Sequence, residues 1–398
     1  MKSLAVLLAL ACACRDKHPL VDDGGVAAAT GSGSGGSSGS AGSAAADWAA
    51  LQPFPTIQPE RVIAIPTRAS IPRFDVGGPA ASHGIAVVSS SQFGFIAADY
   101  HTGQIAWTKP AGMHVAPPLA FGGGFLLIAE CIAPPQVPRD HTLLGCARTV
   151  TPTGADQAYI AIHGDAKALA AFALEPGPQS VWPDGNRVVW KRGEQAVLVD
   201  PVSGLATPAP SAAEPVVVTY KDKTWSIAHD ADHKVVATRG GKVDWQTDHP
   251  YAHIIGGIYL PEQTPMLRMV NLGHFRTQPE LTVMDIDATG SMHGQVAFPV
   301  PGIALVGHAV DAVGDTALAV QLDATLDHHY IAGYAASSLL MWVYPLPRMQ
   351  RADPIGLAVT PDAVLAFHDG DTLTVLPELS APPTAPGAAR PPSENSTP

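Results

Sequence analysis

The sequence predicts an all-β chain folded as a β-propeller of about seven four-stranded blades, and two observations in the 398 residues predict it. The first is a set of short apolar runs, such as Gly84-Ile-Ala-Val-Val-Ser89, Phe125-Leu-Leu-Ile-Ala129, Val216-Val-Val-Thr-Tyr220 and Ala363-Val-Leu-Ala-Phe367. Runs of this length bounded by Gly, Asp, Asn and Pro read as strands, and no long stretch carries apolar residues at helical spacing. The second is a strand-turn-strand unit that recurs at intervals of about 40 to 50 residues, the period of blades rather than of unrelated hairpins.

The clearest copy is Ile96-Ala-Ala-Asp99-Tyr-His-Thr102-Gly103-Gln-Ile-Ala-Trp107. Asp99 and Thr102 are able to bond turn amides, and Gly103 supplies a positive φ. Degenerate copies follow. Val199-Asp200-Pro-Val-Ser203-Gly204 keeps the turn, Gly241-Lys-Val-Asp-Trp245 keeps the spacing from glycine to tryptophan, and Asp287-Ala-Thr289-Gly290 keeps a shortened turn. Tyr334-Ala-Ala-Ser337-Ser338-Leu-Leu-Met-Trp342 keeps the spacing with Tyr and Ser substituted, and Phe172 to Gly177 followed by Val181-Trp182 reads as a looser copy. An indole ending an outer strand is suited to the groove between neighbouring blades, where it buries a large apolar area. Counting copies gives about seven blades, with six or eight open to the same count. The early run Arg61-Val-Ile-Ala-Ile65 is expected to pair with the last blade around Asp371-Thr-Leu-Thr-Val375, a closure that removes exposed sheet edges.

This pattern resembles the repeat of the pyrroloquinoline-quinone (PQQ)-like propeller family, in which Ala-x-Asp-x-x-Thr-Gly-x-x-x-Trp joins the third and fourth strands of a blade. The resemblance covers most of the body and implies a fold more securely than an activity. In the quinone-dependent dehydrogenases of that family an adjacent Cys-Cys disulfide stacks on the cofactor, and Glu, Asn and Asp hold calcium. Cys131 and Cys146 are far apart in sequence, so the resemblance implies no cofactor-binding residue and no cofactor here.

The N-terminal Met1-Lys2-Ser3, the apolar run Leu4 to Ala11 and Cys12-Ala13-Cys14 have the parts of an export signal over residues 1–14. A cysteine after small residues resembles the lipobox of bacterial lipoproteins, which makes Cys12 or Cys14 the acylation candidate; Ala9 and Ala11 stand where that motif usually has an aliphatic residue. Residues 15–47 are rich in Gly, Ser and Ala and read as a flexible tether. Within them, Gly35-Gly36-Ser37-Ser38-Gly39 fits the GxSxG hydrolase pattern without the strand and helix that pattern needs. The propeller is expected over 48–380 and a disordered Pro-rich tail over 381–398. Cys131 and Cys146, the two body thiols of an exported chain, are expected to pair, closing a loop that contributes about 3 kcal/mol by the chain-entropy model. With no CxxC pair, a zinc site at these cysteines is not expected.

Sixteen histidines require metal sites to be weighed. His229-Asp230-Ala-Asp232-His233 and Asp327-His328-His329 gather ligands, yet no third separated ligand is identifiable, and strand-connecting turns explain them more simply. His249 and His253 share helical spacing, but Pro250 lies between them and breaks the helix-borne zinc motif. His368-Asp369-Gly370-Asp371 reads as a hairpin turn in which Asp-Gly takes positive φ. No sequence context nominates a catalytic triad, and no Gly-rich phosphate loop opens a helix.

Acidic residues outnumber basic ones 35 to 23, for a net charge of −12, which argues against nucleic acid because phosphate binding needs a basic patch. The same balance disfavours contact with anionic lipid heads, leaving an N-terminal acyl group as the membrane link. The expectation is therefore an exported, lipid-anchored, monomeric scaffold of the cell envelope that binds other envelope proteins, more simply a binder than an enzyme. The competing expectation is a periplasmic quinone- or metal-dependent enzyme, or a ligand sensor, using the central channel.

Overall fold

The computed structural model describes residues 54–66, 78–90, 94–112, 115–133, 135–175, 177, 179–184, 186–209, 216–220, 223–229, 234–246, 253–258, 266–275, 278–287, 292–311, 313–322, 328–336, 340–347 and 355–379. Of these, 90, 216–220, 229, 253–258, 266, 267, 271–275, 278–285 and 292–299 are described by their backbone. Cys12, Cys14, the Gly/Ser/Ala stretch, Gly290 and the Pro-rich tail lie outside the described residues.

The strands form seven antiparallel four-stranded sheets. The first blade is β2 (Ala80–Ser82), β3 (Ile85–Ser90), β4 (Gly94–Asp99) and β5 (Gln104–Lys109). The second is β6 (Leu119–Phe121), β7 (Gly124–Ala129), β8 (His141–Val150) and β9 (Asp156–Asp165), followed by a short helix α1 (Ala170–Leu174). The third is β10 (Gln179–Asp184), β11 (Arg187–Arg192), β12 (Gln195–Val199) and β13 (Ala206–Ala209). The fourth is β14 (Val216–Tyr220), β15 (Lys223–His229), β16 (Val235–Arg239) and β17 (Lys242–Gln246). The fifth is β18 (His253–Ile258), β19 (Met266–Phe275), β20 (Gln278–Asp287) and β21 (Met292–Pro301). The sixth is β22 (Ala304–Val310), β23 (Thr316–Gln321), β24 (His329–Tyr334) and β25 (Leu340–Pro345). The last takes β26 (Gly356–Val359), β27 (Ala363–His368) and β28 (Thr372–Pro377) from the end of the described chain and β1 (Arg61–Ala64) from its start. Six sheets are thus made of four consecutive strands, and one is composite. First strands of neighbouring blades adjoin, β2 with β6, β6 with β10, β14 with β18, β18 with β22 and β22 with β26, which is the inner ring of a propeller.

Ring closure follows the expected register. Arg61, Val62, Ile63 and Ala64 stand opposite Val375, Thr374, Leu373 and Thr372, and the Ile65 amide donates to Asp371 O at 2.6 Å. Just before β1 the chain runs along the outer edge of β25: the Ile57 amide donates to Val343 O and the Val343 amide donates to Pro55 O. One N-terminal segment therefore covers the edge of one blade and completes the next.

The core lies between blades. Strands β7, β23, β24 and β27 are buried at every position because both faces of an inner-layer strand meet a neighbouring sheet. Apolar runs without alternation follow from that geometry. Clusters join the last blade to the first, with Ile63, Leu365 and Phe367 against Ile96 and Tyr100, and the sixth to the last, with Ile331 and Trp342 against Leu357 and Leu379. Facing positions are often Ala, such as Ala86, Ala98, Ala319 and Ala366, each fully buried. Their small side chains admit close sheets.

The turns between third and fourth strands hold the repeat motif. Asp99 Oδ1 accepts the amides of His101 and Thr102 at 2.9 and 3.0 Å, and Thr102 Oγ1 accepts that of Gln104 at 3.4 Å. Asp200 does the same for Val202 and Ser203, at 2.8 and 3.3 Å. Those amides hold the Asp200 carboxyl below its ordinary range. Gly103 and Gly204 take φ of 79° and 74°; a Cβ on Gly204 would strike the Ala161 carbonyl of the preceding blade. Gly240 and Gly241 both take positive φ before Trp245, which is half-buried on β17. Trp107 donates from Nε1 to Pro152 O of the second blade at 2.9 Å and meets Phe125 edge-on at 6.2 Å.

One reading is corrected. Phe172 to Gly177 with Trp182 is not a repeat turn: Phe172 lies on α1, and Trp182 lies on the first strand of the third blade. The apolar spacing that resembled a copy instead seats a single helical turn, in which Phe172 is buried edge-on against Trp190 with centroids 5.0 Å apart.

A charged staple crosses from the fifth blade to the sixth. Arg268 is fully buried, and its guanidinium donates to Gly314 O, Thr316 Oγ1, Ala335 O and Ala336 O at 2.9, 3.0, 3.3 and 2.9 Å. Arg268→Met removes these donors and leaves buried carbonyls without them, so it is expected to lower unfolding free energy by about 3 kcal/mol, read as a lower denaturant midpoint. A pH effect follows from His368, whose side chain is 3% exposed and whose Nε2 lies 3.0 Å from Thr374 Oγ1. Burial pushes its pKa down, against the opposing pull of Asp369 and Asp371. The unfolded chain protonates this imidazole first, near its ordinary value of about 6.5, so its contribution is intact above that pH and declines as pH falls below it. His368→Gln is expected to flatten that part of the stability–pH curve.

Candidate functional site

Function in a propeller resides on the loops that a rigid ring presents, and among the described residues the second blade is the one whose connections carry a disulfide and a helix. Its strands β8 and β9 run ten residues each, longer than the six of β7. They extend past β7 at the end where the β7–β8 connection leaves. Cys131 in that connection is bonded to Cys146 on β8, with Cα atoms 5.0 Å apart. Pairing in register places Cys146 opposite Ala129, so the bridge ties the connection to the ladder at its root. The His141 amide donates to Pro138 O at 3.0 Å, closing the connection into β8.

The other half of this end comes from the chain leaving β9. Asp165 Oδ1 accepts the amides of Lys167 and Ala168 at 3.1 and 2.8 Å, an Asx-type turn. The Ala166 amide donates to Asp140 O at 3.0 Å, stitching this turn to the disulfide-closed connection. Helix α1 follows, and the Arg192 guanidinium lies 5.0 Å above Phe172 and 4.9 Å above Trp190. A helix this short is marginal alone; the aromatic seat holds it. Each of these two elements leaves one large apolar side chain in water, Ile132 on the disulfide-tied connection at 56% and Leu174 on the helix at 83% exposure. Beside Ile132 a cavity of about 20 Å³ is lined by Phe95, Pro110, Ala111, Arg148 and Tyr159 among others, space for one water.

At the same end His141 and His163 face each other, Nδ1 to Nδ1 at 2.8 Å. Burial, with His141 beside it, pushes the His163 pKa down. The two are 22 positions apart on different strands, with no motif spacing to signal them, and the sequence reading passed over both.

A second cavity, of about 430 Å³, lies between the first strands of the sixth and last blades, lined by Leu305, Val306, Gly307 and His308 of β22 with Gly356 and Leu357 of β26. The other histidine clusters lie partly outside the described residues. His229 ends β15 and 230–233 lie outside the described residues, as do His249 and Asp327. His253 begins β18, His328 precedes β24, and His329 is buried at its start. Asp369 and Gly370 turn at φ of 50° and 64°. Among the described residues no group of three or more His, Cys, Asp or Glu is placed to hold a metal ion.

No family model and no curated protein matches the chain. Solved structures do. BamB from Moraxella catarrhalis is 12% identical over 75% of this chain and 84% of that chain, with a TM-score of 0.38. A chain of a mitotic checkpoint complex is 11% identical over 88% of this chain and 98% of that one, at 0.49. The C-terminal WD40 domain of Sif2 is 12% identical over 76% and 81%, at 0.40. Similarity at this level transfers no activity or partner, and the propeller rests on the strand pairing of this chain itself.

The disulfide supports a test. In Cys131→Ser or Cys146→Ser the closed loop of 15 residues opens; a loss of about 3 kcal/mol is expected, with faster proteolysis between 130 and 140. Reduction of the parent protein should reproduce both effects, and reductant should leave the variants unchanged.

Proposed function

We propose that this chain is a non-catalytic scaffold of the bacterial cell envelope, a PQQ-like propeller lipoprotein held to a membrane by an acyl group on Cys12 or Cys14 and engaging other envelope proteins as a monomer. The observation that carries the binding role is the decorated end of the second blade. There a disulfide-tied connection and an aromatic-seated helix hold Ile132 and Leu174 in solvent at 56% and 83% exposure. Apolar side chains kept exposed on ordered elements suit a partner's surface, because burying them costs little ordering entropy at the moment of binding.

The polar groups described elsewhere fit this reading. Asp99 and Asp200 bond turn amides, Asp362 accepts from Tyr100 and Thr360, and Arg268 staples two blades. Each serves the scaffold. Lipid attachment draws its support from the sequence, where small residues precede Cys12 and Cys14.

The full-length chain expressed in a bacterial envelope is expected to cross-link to a discrete protein partner. Ile132→Asp with Leu174→Asp should reduce that product at least about 10-fold, the effect of losing one apolar hot spot, while circular dichroism stays unchanged. Equal cross-linking by the double variant would overturn the assignment of these two side chains to partner binding. Metabolic labelling with a radioactive fatty acid should mark the parent and be lost in the variant with both Cys12 and Cys14 changed to Ser; an unlabelled parent would remove the lipid anchor.

A further inference from the structure

The facing histidines of the second blade have an arrangement with a chemistry of its own. His141 stands opposite Asp165 and His163 opposite Leu143 in the β8–β9 ladder, so the two imidazoles are diagonal neighbours on one face. Their ring centroids are 5.0 Å apart at 39°, and their Nδ1 atoms meet at 2.8 Å. The backbone on either side is fixed. The His163 amide donates to Gly204 O of the third blade at 3.0 Å, and Asp140 O, beside His141, accepts from the Ala166 amide at 3.0 Å.

Two imidazole nitrogens in contact need something positive between their lone pairs. A single proton fills that role when one ring is the donor; a metal cation fills it with both rings as neutral ligands, the donor ring giving up its Nδ1 proton and taking one up at Nε2, so that no net proton is released. We propose that His141 and His163 form a two-imidazole site for a borderline transition cation, zinc(II) in the first instance, bound through both Nδ1 atoms. Two Zn–N bonds of about 2.0–2.1 Å at a tetrahedral angle set the nitrogens about 3.3 Å apart. The existing contact therefore has to widen by about 0.5 Å, within reach of small side-chain rotations on fixed strands. Imidazole ligands select zinc, copper and nickel over magnesium and calcium.

Among the described residues no third His, Cys, Asp or Glu joins the pair, so water completes the coordination shell. The site is thus an exchangeable clip, unlike a closed four-ligand structural zinc. Its place gives it an effect: it clamps the free ends of β8 and β9, next to the disulfide-tied connection on one side and the seam with the third blade on the other.

The test uses the full chain without a polyhistidine tag, stripped of metal and titrated calorimetrically with zinc chloride near neutral pH. One saturable equivalent is expected, accompanied by a rise in Tm with zinc concentration, and magnesium or calcium should give neither. His141→Ala and His163→Ala should each weaken binding at least about 10-fold. His83→Asn should leave it unchanged, since His83 is exposed at φ 51°, a backbone conformation that Asn tolerates. Copper(II) bound to the parent protein should show electron paramagnetic resonance hyperfine coupling to two imidazole nitrogens, a readout that holds even if a variant misfolds. Absence of saturable zinc binding by the parent, undiminished binding in folded His141→Ala and His163→Ala, or coupling to a single nitrogen would each overturn the site.

Discussion

Everything in this molecule depends on four residues near its N-terminus hydrogen bonding to a strand near its C-terminus. A ring of sheets has no free ends only if its last sheet shares strands from both ends of the chain, and β1 on β28 does this. The contact joins Arg61–Ala64 to Thr372–Val375, so it carries the loop-closure cost of all the blades between and brings no local reward until they are in place. The segment before β1 strengthens it by lying along β25, where Ile57 packs on one inter-blade cluster and Phe54 on another. The seam is reinforced by side chains as well: Tyr100 and His101 of the first blade both reach Asp362 of the last.

Closure fixes the number of blades but not the angle between them, which is set by what lies in the clefts. Small side chains such as Ala86 and Ala366 admit close approach, and indoles such as Trp107 and Trp342 fill the outer part. The cleft between the fifth and sixth blades departs from this scheme, since there a buried guanidinium takes four acceptors from two turns. Aligned carbonyls at the ends of two hairpins create a concentrated negative potential, and a planar cation with several donors neutralises more of it than any neutral side chain.

Strands, closure and the disulfide were legible in the sequence because each leaves a local mark. The strands of the inner layers appear as unbroken apolar runs, the closing strand as one more such run outside the repeat, and the bridge as two lone cysteines flanking a Pro-rich connection. The features that escaped are those whose partners lie on other strands. His141 and His163 become neighbours only through the β8–β9 register. Arg268 sits in an apolar run, Met266 to Val270, and its acceptors are backbone carbonyls that no residue type announces. Phe172 was misread because one helical turn and a degenerate repeat turn both place an aromatic before a glycine, and the deciding contact is with Trp190, across the blade boundary.

The asymmetry of the ring bears on how it works. A propeller of equal blades presents equivalent turns all round, and recognition needs one position to differ from the rest. Ten-residue outer strands are shared with the fifth blade; the second blade differs in that a covalent bond ties the adjacent connection and a helix is seated at its exit. The histidine pair lies among them, at the point where β8 and β9 lose the support of β7. The Ala166 to Asp140 bond joins the disulfide-tied connection to the chain leaving β9 at that same point, beside the facing imidazoles.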